Sequence, residues 1–158
     1  MNKVLLLPTT DFTAKSFYET YRLVLDEYDF TFVLQGKNIR DSKGFPGFFT
    51  QRLRSYEFKK KNNLYKLLFP ICLRIEVVYI LRRGNFKTLI VSNECGLHQS
   101  IFIKYAKRRG IRCISHQVSS GIVNKDVLKR KVSLGKRLKM VLYGTRRCMG
   151  YGYYSDEV

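Results

Sequence analysis

Short continuous apolar runs alternate with stretches of helical period along this chain, and the alternation occurs twice. Val4-Leu5-Leu6-Leu7-Pro8 has no polar interruption, the pattern of a strand buried on both faces of a parallel sheet. Thr9-Thr10-Asp11 follows as a polar turn, and Phe17, Tyr21, Val24 and Leu25 then recur at helical spacing with charged residues between them. Phe30-Thr31-Phe32-Val33-Leu34 is a second strand, closed by Gln35-Gly36. Strand, helix and strand in so few residues predict a βαβ unit with a right-handed crossover.

The second unit begins after Gly84. Thr88-Leu89-Ile90-Val91 is a strand, Ser92-Asn93-Glu94-Cys95-Gly96 a turn, and Leu97, Ile101, Phe102, Tyr105 and Ala106 mark a helix. Gly110 ends that helix as a C-terminal cap, and residues 111–115 form the next strand. Two such units predict an α/β fold: an open, Rossmann-like parallel sheet flanked by helices in a single domain over residues 1–158.

Between the units the rhythm breaks. Residues 36–63 hold glycines, a proline, aromatics and cations without a sustained period, and read as a long, mobile basic loop. Leu64, Leu67, Leu68, Ile71, Ile75, Val78 and Tyr79 then form a helical stripe. Pro70 lies inside it, so the regular helix is expected to begin near that residue. Residues 125–143 place Val127, Leu134, Leu138 and Val141 on one face of a basic amphipathic segment, which suits either a membrane interface or packing on the sheet.

Charge changes the picture next. The chain of 158 residues carries 30 Lys and Arg against 12 Asp and Glu, a formal net charge of +18. The surplus is concentrated: residues 36–87 hold thirteen basic against three acidic side chains, and residues 104–147 fourteen against one. Such a surface attracts polyanions or anionic lipid headgroups. Arg52, Arg54, Lys59, Lys60, Lys61, Lys129, Arg130, Lys131 and Arg137 are the candidate anion- or membrane-binding residues. Phe45, Phe48, Phe49, Tyr56 and Phe58 interleave with some of these cations, an arrangement that either stacks nucleic-acid bases or covers the core.

Several chemistries are excluded or unsupported. There is no phosphate-binding loop of the G-x-x-x-x-G-K-[ST] type, no G-x-G-x-x-G after the first strand and no G-x-S-x-G elbow. Cys72, Cys95, Cys113 and Cys148 are widely separated and read as reduced thiols; with His98 and His116 the only histidines, no metal site is expected. No run is long enough to span a bilayer, and the apolar start is too short for a signal peptide. The expected location is cytoplasmic, peripheral at the inner face of the membrane.

What remains is a crevice. In open parallel sheets ligands bind beyond the carboxyl ends of the strands. Here those ends carry four polar turns: Thr9-Thr10-Asp11, Gln35-Gly36, Ser92-Asn93-Glu94, and His116-Gln117 with Ser119-Ser120-Gly121. Strand ends are also polar simply because they reach solvent. Glu94 and His116 follow consecutive strands, so a histidine near neutral pKa beside a carboxylate could take a proton from an attacking hydroxyl. The alternative is a hydrogen-bonded structural histidine.

The stretch "KTLIVSNECGLHQSIFIKYAKRRGIRCISHQVSSG" resembles the amino-terminal, acceptor-side domain of GT-B glycosyltransferases of the surface-polysaccharide kind, and "KVLLLPTTDFTAKSFYETYRLVLDEYDFTFVLQG" resembles that family's first βαβ unit. Gly110-Ile111 matches the family's Gly-Ile step. His116-Gln117 stands where a Gln-His-Gly-like turn is usual, with the order altered and the glycine delayed to Gly121. The resemblance implies one half of a two-domain architecture, incomplete as a catalyst alone. The nucleotide-sugar donor would sit on a second domain or a partner subunit, and the acceptor would be an anionic or lipid-linked glycan held at the membrane surface. The chain is then a fragment, a remnant or one subunit of a split enzyme. A basic nucleic-acid-binding protein without enzymatic activity is the competing reading.

Overall fold

Leu5, Leu6 and Leu7 are completely buried, and they form the centre of the sheet around which the chain is built. The computed structural model describes residues 1–34, 45–55, 63–92 and 97–116, with backbone alone for residues 63–67 and 97. In chain order its elements are β1 (Asn2–Leu7), α1 (Asp11–Tyr21), a 3-10 turn (Arg22–Val24), β2 (Tyr28–Leu34), β3 (Phe49–Arg52), α2 (Asn63–Gly84), β4 (Thr88–Val91), α3 (Leu97–Lys107) and β5 (Arg112–Ser115). All four strand pairings are parallel, in the order β3-β2-β1-β4-β5. The α/β, Rossmann-like open sheet expected from the sequence is the fold observed.

Strand alternation divides the core in two. Leu5, Leu7, Val33, Leu89 and Val91 belong to one cluster with Phe69, Leu73, Val77 and Leu81 of α2 and Ile101, Phe102 and Ala106 of α3. Val4, Leu6, Phe30, Phe32, Leu34 and Ile90 face the other way, onto Ala14 and Phe17 of α1. Both faces of β1 are covered, which is why its sequence is an unbroken apolar run.

Helix ends follow local chemistry. Thr10 caps α1: its side chain accepts from the Thr13 backbone N–H while the Thr13 hydroxyl takes the Thr10 N–H, a reciprocal capping box. Gly110 terminates α3 with φ +69°, and the backbone N–H of Ile111 returns to the Ala106 carbonyl at 3.0 Å. This is the left-handed cap that the position of the glycine predicts.

Three expectations are corrected. Residues 36–63 are not wholly a loop, because Phe49–Arg52 is an edge strand in register with Thr31–Leu34. Phe49 is exposed and Gln51 and Arg52 are polar, so the apolar run that identifies a buried strand is missing. Phe45 and Phe48 are buried against Phe32, with ring centroids 4.9 and 5.0 Å away, so they cover the core.

The second correction concerns the start of α2, at Asn63 rather than near Pro70. The helix tolerates Pro70 seven residues in, forgoing one backbone hydrogen bond there. The third concerns its orientation. Phe69, Leu73, Val77, Ile80 and Leu81 are the buried positions, whereas Leu68, Ile71, Ile75 and Tyr79 of the expected stripe are exposed. Apolar side chains surround this helix, so periodicity offers two stripes and the sheet selects one.

Candidate functional site

In the order β3-β2-β1-β4-β5 the chain reverses its direction of winding between β1 and β4, the switch point at which open α/β sheets form a crevice. The carboxyl ends of those two strands carry Thr9 and Ser92, whose hydroxyl oxygens are 3.1 Å apart. Ser92 also donates to the Leu7 carbonyl through its hydroxyl, at 3.3 Å. Thr9 is itself held by its backbone N–H, which donates to the Thr13 hydroxyl at 2.9 Å. The capping box of α1 therefore fixes the crevice wall as well as the helix start.

His116 is the next residue along this edge. Its backbone N–H donates to the Val91 carbonyl at 2.8 Å, extending the β4–β5 ladder by one rung and bringing the imidazole to the α1 side of the sheet. There Phe17 and Tyr21 meet it edge-on, at centroid distances of 5.1 and 5.7 Å. The Tyr21 hydroxyl lies 2.8 Å from His116 Nδ1. Partial burial lowers the His116 pKa below its usual value, which favours the neutral imidazole, and burial raises the Tyr21 phenol to about 12. A neutral imidazole fixed through Nδ1 presents Nε2 as its remaining polar atom. When Nδ1 carries the hydrogen and donates to Tyr21 Oη, Nε2 holds a lone pair and can accept a proton.

On the α2 and α3 side the strand ends are polar too. The Ser115 hydroxyl and both side-chain amide atoms of Gln99 are buried and have no partner among the described residues. Orphaned groups of this kind cost about 1–3 kcal/mol each unless water or a ligand pairs with them. His98, beside Gln99 in α3, is buried, and that burial lowers its pKa to about 3, so it stays neutral.

The structure brings Thr9, Ser92 and His116 to one edge on three adjacent strands, and sets Arg52 and Arg54 apart from them. Arg52 ends β3 and Arg54 follows it, two inter-strand steps from β1 and four from β5, or roughly 10 and 19 Å at about 4.8 Å per step. They line a cavity of about 840 Å³ between β3 and α2. Glu76 organises its floor, accepting the backbone N–H groups of Arg54 at 2.7 Å and Ser55 at 3.0 Å. A second cavity, of about 560 Å³, opens at the opposite, amino ends of β1 and β2, around Lys3, Asp29 and Phe86. The switch-point crevice is the better candidate because it joins the fold's binding position to a titratable side chain.

Thr10 is an exposed cap at the mouth of this edge. Asn93, Glu94, Gln117, Ser119, Ser120, Gly121, Lys59, Lys60, Lys61, Lys129, Arg130, Lys131 and Arg137 lie outside the described residues, as does the segment 125–143. Cys72 and Cys113 form no disulfide among the described residues. Among the described residues no three His, Cys, Asp or Glu side chains gather as a metal site would require, and no helix is long and apolar enough to cross a membrane.

Tyr21, in the site, and Gln99, buried behind the sheet, are the polar residues that sequence reasoning did not single out. Tyr21 carried the signal of a helix core position, and only the juxtaposition with β5 gives its hydroxyl a role. Gln99 had a legible signal, an amide among the apolar residues of a helix whose neighbours at Ile101 and Phe102 are buried.

No protein-family model matches the chain, and no curated protein is similar to it in sequence. Solved structures do share its fold. MurG of Acinetobacter baumannii superposes with a TM-score of 0.52 at 9% sequence identity, over 82% of this chain and 38% of MurG. UDP-GlcNAc 2-epimerase from Methanocaldococcus jannaschii gives a TM-score of 0.49 at 12% identity, over 90% of this chain and 36% of the epimerase. The chain thus spans less than two fifths of either protein's length. The likeness is one of fold, a Rossmann-like α/β domain of the kind found in GT-B proteins, in agreement with the resemblance read from the sequence.

Proposed function

We propose that this chain is the acceptor-binding half of a glycosyltransferase for cell-surface or lipid-linked glycans, completed by a second domain or a partner subunit that carries the nucleotide-sugar donor. One observation supports the reading above the others: a neutral imidazole, held through Nδ1 by Tyr21, at the edge where Thr9 and Ser92 mark the switch point. In this role His116 Nε2 takes the proton of the acceptor hydroxyl. The hydroxyl oxygen forms a bond to the anomeric carbon of the sugar while the bond from that carbon to the departing nucleotide phosphate breaks. Thr9 and Ser92 supply polar contacts to the acceptor, and Tyr21 is a positioning residue. Glu94, Asn93, Gln117, Ser119, Ser120 and Gly121 keep the catalytic and acceptor-binding roles expected of them from the sequence.

The acceptor is anionic or membrane-borne in this reading, which suits a formal charge of +18 and a location at the inner face of the membrane. The competing nucleic-acid reading loses part of its stacking platform, because Phe45 and Phe48 are in the core.

The test is glycosyl transfer in membranes of cells producing the complete system. His116→Ala should lower turnover by about 10²–10⁴-fold, the usual contribution of a positioned base. Unchanged turnover removes the base assignment. Tight binding of single-stranded RNA that withstands heparin, without binding to anionic vesicles, would favour the nucleic-acid reading instead.

A further inference from the structure

We infer that the outer face of α2 is a seat for an anionic phospholipid bilayer. The helix is apolar on a second side as well: Leu68, Ile71, Ile75 and Tyr79 are 39%, 53%, 66% and 54% exposed, Ile75 and Tyr79 at the margin of the cavity shared with β3. Spaced by three and four residues, they form one stripe about 16 Å long at 1.5 Å per residue. A shallow apolar groove of about 370 Å³ continues that stripe between α2 and α3, with Val78 and Tyr105 in its walls.

Scattered apolar residues on a surface are ordinary, but a contiguous stripe marks an interface. Its rim says which kind. Arg74 and Arg82 border the groove, Arg83 donates to the Tyr79 hydroxyl at 2.6 Å, and the Arg108 guanidinium lies 5.4 Å from the centre of the Tyr105 ring. Glu76, the one acidic residue of α2, is turned to the β3 side, where it accepts two backbone N–H groups.

An apolar stripe, tyrosines at its margin and an arginine rim are what a helix lying in the headgroup layer of an anionic bilayer presents. A second copy of the chain is a poorer occupant. Pairing two such faces would bring the arginine rims of molecules of charge +18 together. The inference deepens the membrane-facing part of the proposed function, and it does not need the transferase assignment to hold.

Vesicle co-sedimentation of the full chain tests it. The vesicles are phosphatidylcholine, with or without phosphatidylglycerol. The chain should bind the anionic vesicles and leave the neutral ones. Ile71→Lys with Ile75→Lys removes the anchor but adds charge, so it separates seating from simple attraction. Affinity should fall by at least about tenfold, because each exposed isoleucine loses its transfer into lipid. The thermal midpoint should be unchanged, since neither side chain supports the core. Equal or tighter binding by this variant would overturn the inference, as would failure of the wild type to bind. A wild-type dimer that the variant converts to monomer would also overturn it, assigning the face to self-association. Loss of vesicle binding with retained transfer to a soluble acceptor would uphold the seat and confine any failure of the functional reading to the crevice.

Discussion

The hydroxyl of Tyr21 and Nδ1 of His116 stand 2.8 Å apart across 95 residues of sequence, joining the last turn of α1 to the end of β5. The contact determines which imidazole nitrogen faces the crevice. For Nε2 to act as a base, Nδ1 must carry the hydrogen and donate to Tyr21 Oη. Long-range ¹H–¹⁵N correlation spectra should therefore show the Nδ1–H tautomer at neutral pH. Tyr21→Phe should shift the population toward Nε2–H and destabilise the fold by about 1 kcal/mol. An Nε2–H tautomer in the wild type would remove the basis for base catalysis.

Burial of His98 makes the fold acid-sensitive. The unfolded chain takes up a proton at this residue near pH 6.5, whereas the folded chain resists it until about 3. A depressed histidine pKa means that the unfolded state binds more protons, so stability is complete above about pH 6.5 and declines as the pH falls toward 3. His116, lowered in the same direction, adds to the loss. For His98 the slope approaches about 1.4 kcal/mol per pH unit between those two values. His98→Gln should flatten the acid limb of a urea-derived stability profile. An unchanged slope would show that His98 is protonated in the folded state.

Leu73 and Ile75 are two residues apart on α2 and should respond in opposite ways. Leu73 is completely buried in the core beneath the sheet, so Leu73→Ala should cost about 2–5 kcal/mol through lost burial and the cavity left behind. Ile75 is 66% exposed, and Ile75→Ala should stay within about 0.5 kcal/mol of the wild type. Chemical denaturation of the two variants checks the orientation of the helix directly. Similar losses in both would contradict it.

Gln99 places an amide in the core with no partner among the described residues. Replacing such a group with an apolar one of similar shape relieves its desolvation cost. Gln99→Met should therefore raise stability by about 1 kcal/mol in denaturant titrations. A destabilised Gln99→Met would reveal a hydrogen-bonding partner for the amide in the folded chain.

Local chemistry was sufficient for the two βαβ units, for the cap at Gly110, and for the polar strand ends that include Thr9 and His116, whereas the cap at Thr10 read only as a polar turn. Each legible feature depends on residues within one turn or one strand, where apolar runs and a glycine at positive φ act over a few positions. β3 escaped notice because an edge strand needs only one partner and one covered face, so Phe49–Arg52 carries no buried run. The orientation of α2 was decided by packing, since Phe69-Leu73-Val77 and Leu68-Ile71-Ile75 are equally helical in spacing and only the first meets the sheet. The site divides in the same way. A lone histidine at a strand end is visible in sequence, but its tyrosine partner, its neutral state and its distance from Arg52 and Arg54 arise from strand order and burial. Those are properties of residues far apart in the chain, and tertiary structure alone brings them together.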